Sequence, residues 1–190
     1  MGDGSAKSVA ALGFLTVLDH PQHGLFGGYL VLNLVGRPIE FHCSAPIKPN
    51  RAQQILYGPT LEAFLYGEQI GQALVAKAKV QPLSIFTDRR PAMAVREHIS
   101  PPVALVIPPQ TEVSTSTEDG KFYRLDSAHD RGAELVSFDV GQNRLAVFHR
   151  TEGDRQLISQ RLEDIGESFD LSEPFGRIRE AIEEAQQAAR

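Results

Sequence analysis

The chain has little cysteine, no apolar run long enough to cross a bilayer, and a shortage of positive charge in its second half. Each shortage excludes something. A single cysteine, Cys43, among 190 residues cannot close an internal disulfide, which fits a reducing compartment and sets the expectation of a cytoplasmic protein. No stretch approaches the roughly 18 apolar residues that a membrane-spanning helix needs, so no membrane association is expected. The opening residues MGDGSAKS lack the charged-then-apolar layout of a signal peptide. Residues 111–190 hold 10 Lys or Arg against 17 Asp or Glu, net −7, whereas residues 1–110 hold 9 against 7, net +2. Phosphate binding along nucleic acid relies on clustered positive charge, which disfavours that partner class. Catalytic signatures are missing as well: there is no GxSxG, no GxxxxGK[ST] and no GxGxxG. Nucleophile-elbow hydrolysis, nucleotide hydrolysis and dinucleotide redox chemistry are disfavoured accordingly, and no cofactor is expected.

What is present is an ordinary globular composition, 42% hydrophobic and 23% charged, enough for one sizeable core or two small ones. Residues 10–18 are apolar on both alternating faces, as expected of a central strand covered on two sides. Residues 19–28, with Pro21, Gly24, Gly27 and Gly28, read as a mobile connection. Strands at 29–34 and 39–44 flank a reversal at Gly36 and form an antiparallel hairpin. Asn50 followed by Gln53 makes a capping box for a short helix that ends before Gly58-Pro59. Thr60 caps a longer helix, 61–80, whose Ala63, Gly67 and Gly71 form a small-residue stripe where another backbone can approach. A strand at 83–87, a helix at 91–99 and a strand at 103–107 make a βαβ-like unit. Its right-handed crossover sets the two strands parallel and makes the sheet mixed.

The polar, turn-rich segment 109–120 reads as a linker. Beyond it come short strands at 122–125, 134–140 and 144–149, then two helices. Asp154 caps the first, with Leu157, Ile158, Leu162 and Ile165 at helical spacing. The second spans 173–188, and Phe175, Ile178 and Ile182 give it one narrow apolar stripe, suited to docking on the body or on a partner. The expected organisation is a disordered stretch 1–7, a mixed α/β core 8–108, the linker, and a strand-plus-helix portion 121–190 packed on the core or forming a small subdomain.

Three clusters hold residue types capable of chemistry. His20, His23 and His42 are metal candidates, since imidazoles suit zinc and a divalent ion is the one cofactor the sequence leaves open. Strand alternation places His42 and Cys43 on opposite faces, so they cannot share an ion, and Cys43 reads as a small core residue. Thr87, Asp88, Arg89 and Arg90 stand between a strand end and a helix start, a place where open α/β sheets bind ligands. They are the anion-binding candidates; the plainer account is that Asp88 caps the helix. Phe175, Ile178 and Ile182 are the partner-binding candidates. The leading expectation is a non-catalytic interaction or regulatory subunit that meets a protein partner or a second copy of itself. Behind it stand a small metal-assisted hydrolase acting on a phosphate-containing substrate and an anion or nucleotide sensor.

Overall fold

The computed structural model describes residues 10–108, 134–163, 165 and 169–188. The expected terminus 1–7, the linker 109–120 and the strand 122–125 lie outside the described residues. Within them, seven strands form one sheet: β1 (Ala11–His20), β2 (Gly24–Asn33), β3 (Pro38–Cys43), β4 (Ser84–Thr87), β5 (Val103–Ile107), β6 (Leu135–Val140) and β7 (Asn143–Phe148). Their order is β3-β2-β1-β4-β5-β7-β6. The three middle strands β1, β4 and β5 run parallel, and both flanks are antiparallel. This is the mixed α/β sheet that the hairpin and the βαβ-like unit imply. β6 and β7 continue that same sheet, with Leu105 of β5 beside Ala146 of β7.

The doubly apolar pattern of β1 has its reason in two separate cores. Leu12 and Phe14 pack on one face with Phe86, Leu145 and Phe175, while Ala11, Leu15 and Val17 pack on the other with Leu65, Ile70 and Leu74. Burying each large side chain contributes about 1.5–3 kcal/mol. The second face is covered by a helical run, α2, made of Leu61–Ala63, a π-wound stretch Phe64–Gln72, and Ala73–Lys77. Beside it lies a 3-10 helix, Arg90–Glu97, where the sequence predicts an ordinary helix over 91–99. Three residues per turn put Ala92 and Val95 on the same side, and both are fully buried. The small-residue stripe serves this contact: a Cβ on Gly67 would stand 2.7 Å from Cβ of Ala94 and 2.8 Å from the backbone nitrogen of Val95.

The first face is covered by α3 (Gly153–Leu162) and α4 (Glu173–Ala188). Phe175, Ile178 and Ile182 of α4 are 2%, 0% and 2% exposed, and Phe175 meets Phe14 edge-on at 5.7 Å between ring centres. The apolar stripe of α4 therefore docks on its own body, and a partner reaches it only by displacing the helix. In α3, Ile158 and Leu162 are buried but Leu157 is 42% exposed. Asp154 does not cap this helix; it sits inside the first turn and pairs with Arg96.

Two further expectations are corrected. The segment 19–28 is not a loose connection: β1 runs to His20 and β2 begins at Gly24, leaving a three-residue turn. Gly27 and Gly28 lie inside β2 because the covering layers press on it, and a Cβ at Gly28 would overlap Ile178. Cys43 is exposed, not core. It lies on β3, the edge strand, beyond the strands that α4 contacts. That edge is blunted against pairing with another chain. Pro38 brings no N–H, the register slips between Val31 and Leu32, and the Glu40 carboxylate turns inward.

Candidate functional site

The carboxyl ends of parallel strands are where open α/β sheets usually take ligands, so the end of β4 comes first. Leu15 of β1 pairs with Thr87 of β4, which sets Thr16 beside Asp88. The Thr16 hydroxyl donates to Asp88 Oδ1 at 2.6 Å, and Arg179 of α4 donates to Oδ2. Asp88 thus joins β1, β4 and α4, and does not cap the 3-10 helix, whose start has no side-chain cap. Thr87 is fully buried and accepts the Arg89 backbone N–H at 3.1 Å. Arg89 is exposed, and Arg90 lines a groove on the outer side of the helical layer. The four anion candidates are therefore not gathered around one space. Nearby, burial first and then Glu62 and Asp19 push the Tyr66 phenol above its usual range, while Arg89 pulls it back.

The three metal candidates are split between two places. At the β1–β2 turn, His20 Nδ1 accepts the backbone N–H groups of Gln22 and His23 at 3.2 Å each, and the two imidazoles lie 4.6 Å apart between centres. His42 pairs with Tyr29 across the ladder, five positions along β2 from the Gly24 that faces His20, about 17 Å at the usual strand rise. His42 Nε2 is 2.9 Å from Glu40 Oε2, and Glu40 also accepts the backbone N–H groups of Lys79 and Val80. Chiefly the His42 contact, and then the Lys79 N–H, hold the Glu40 carboxyl below its ordinary range. Among the described residues, no group of three or more His, Cys, Asp or Glu side chains is placed to hold a metal ion.

Sequence reasoning places α1 (Arg51–Tyr57) but misses its exposure. Its start is as expected: Asn50 accepts the Gln53 N–H at 2.8 Å, and the Gln53 side chain accepts the Asn50 N–H at 3.0 Å. Yet none of its seven residues is buried; Ile55 is 66% exposed and Leu56 82%. The helix is held at its far end by Tyr57, stacked on Phe64 of α2 at 4.2 Å. Beside this ridge runs a groove of about 600 Å³ whose lining includes the apolar Tyr57, Phe64, Pro91 and Phe148 along with charged residues. Arg150 lies over the Phe148 ring at 4.7 Å and pairs with Glu97. A signal was available in the sequence. Three consecutive apolar residues, Ile55, Leu56 and Tyr57, sweep some 200° around a helix, more than one docked face can cover.

No protein-family model matches the chain, and no curated protein matches it. The geometry alone carries the functional argument. Among the described residues no helix is long and apolar enough to cross a membrane.

Proposed function

We propose that this chain is a non-catalytic interaction or regulatory subunit of a cytoplasmic protein assembly, with α1 as its recognition element. The observation that carries the reading is a seven-residue helix that touches its own body chiefly through Tyr57, has no buried residue, and exposes Ile55 and Leu56. Isolated helices shorter than about 12–15 residues are marginal in water, and clustered exposed apolar side chains mark interaction sites. The capping box and the Tyr57–Phe64 stack present those side chains without covering them. The hydrolase and sensor readings have less behind them. His42 stands apart from His20 and His23, and Asp88 puts a carboxylate where an anion would approach.

The test is a photoreactive amino acid at position 56 in living cells, compared with the same probe at position 183 on the solvent side of α4. A discrete adduct is expected at 56 and not at 183. Leu56→Glu should abolish the effect of the chain in cells while moving its stability by less than about 0.5 kcal/mol. No adduct at 56, together with a Leu56→Glu variant that behaves as wild type, would sink the reading.

A further inference from the structure

We propose that the groove beside α1 receives α1 of a second copy of this chain, so that two copies associate by reciprocal ridge-in-groove contacts about a two-fold axis. The inference rests on the reading of α1 as the recognition element and names its partner.

Three observations carry it. A two-fold interface is self-complementary, so ridge and receptor must share one surface patch. Tyr57 meets that condition, as the last residue of the ridge and part of the groove lining. The chemistry also matches. The lining includes Tyr57, Pro59, Phe64 and Pro91, apolar surface fit for the aliphatic side chains of Ile55 and Leu56. Charge then selects the orientation. No acidic residue lies between Glu40 and Glu62, and Arg51 at the start of α1 is exposed. The groove carries three carboxylates, Glu62, Glu68 and Glu97, against two arginines, Arg90 and Arg150, and Arg150 is paired with Glu97, which leaves an excess of one carboxylate. A ridge with one arginine and no carboxylate beside a groove with one carboxylate in excess is the pairing expected of complementary surfaces. The blunted β3 edge disfavours one competing route to self-association, sheet pairing through that strand.

The test uses the full purified chain in sedimentation equilibrium, from micromolar to several hundred micromolar. Wild type should dimerise reversibly. Leu56→Glu removes the ridge anchor and Glu68→Trp fills the groove from an exposed position. Each should weaken the dimer at least tenfold while circular dichroism and melting midpoint stay at wild-type values. Mixing the two variants should restore association in part, above that of either variant alone, because one of the two reciprocal contacts is then intact. A wild-type chain that stays monomeric throughout overturns the proposal, as does a dimer indifferent to Leu56→Glu or a mixture that fails to associate. If the chain is monomeric yet position 56 gives an adduct with another protein in cells, the self-association fails and the interaction reading stands.

Discussion

Replacing Asp154 by alanine should be among the most destabilising single changes outside the apolar core. Asp154 is 4% exposed on the first turn of α3. Its Oδ2 accepts from Arg96 Nε at 2.6 Å and its Oδ1 from Nη2 at 3.1 Å, a two-pronged pairing, and Arg96 Nη1 also donates to the Ile99 carbonyl at 3.0 Å. The pair ties the 3-10 helix on one face of the sheet to α3 on the other, between residues 58 apart in sequence. Removing one partner of a buried pair leaves the other charge uncompensated, at a cost of about 3–5 kcal/mol. Arg96 keeps 26% of its side chain in solvent and retains Ile99, so about 2–4 kcal/mol is the reasonable range here. That corresponds to a fall in melting midpoint of about 5–15 °C for a chain of this size. The assay is urea unfolding at neutral pH, where the midpoint should fall with little change in slope. The double variant Arg96→Met/Asp154→Leu should recover most of the loss, since apolar replacements of similar volume remove both desolvation costs together. A loss below about 1 kcal/mol for Asp154→Ala would refute the claim that this pair holds the layers together.

The remaining predictions concern charge and packing. His42 and the Lys79 N–H keep the Glu40 carboxyl below its ordinary range, so its folded pKa lies below its unfolded one. Its contribution is complete above the unfolded value of about 4.3 and is lost as pH falls through the lower folded value. Urea midpoints measured from pH 6 down to pH 3 should therefore fall less steeply for Glu40→Gln than for wild type, and equal slopes would discard this account. Gly67→Ala sets a Cβ 2.7–2.8 Å from Ala94 and Val95, backbone included. It should destabilise by about 1–3 kcal/mol despite the better helix propensity of alanine. Gly176→Ala in α4 meets nothing within 4 Å and should stabilise by about 0.5–1 kcal/mol. Thermal melts of the two variants should move in opposite directions; if both rise, the close approach at Gly67 is not a constraint.

The parts of the fold legible in the sequence were those that local chemistry decides. The capping box at Asn50 and Gln53, the reversal at Gly36, which has φ +79°, and the apolar run of β1 each reflect forces acting within a few residues. The spacing of Ala63, Gly67 and Gly71 announced a close approach, although only the folded chain shows that the 3-10 helix makes it. What failed to show was decided by distant partners. Gly27 and Gly28 look like loop residues until Ile70 and Ile178 press on them, and only then does a glycine-rich strand make sense. Cys43 alternates correctly with His42, yet alternation fixes a face and says nothing of its cover; the exposure follows from β3 being the edge. Asp88 and Asp154 both resemble helix caps locally, and each is claimed by an arginine from far along the chain.

That last pattern bears on where binding takes place in this molecule. The carboxyl ends of β1 and β4 are the place such a sheet leaves open for a ligand, and here α4 reaches over it and sets Arg179 on Asp88. α4 is not free to swing away, because Phe175, Ile178 and Ile182 lie in the core and Arg177 donates to the Gly36 carbonyl. Asp88, its neighbour Thr16 and the apolar stripe of α4 are thus all committed to one internal junction, and a ligand there would have to break it. α1 is under no such commitment: its removal from solvent would disturb no buried contact, and Ile55 and Leu56 stand to gain what burial gives. Recognition through α1 uses an apolar helix surface, Ile55 and Leu56, whose contacts the fold has not already claimed.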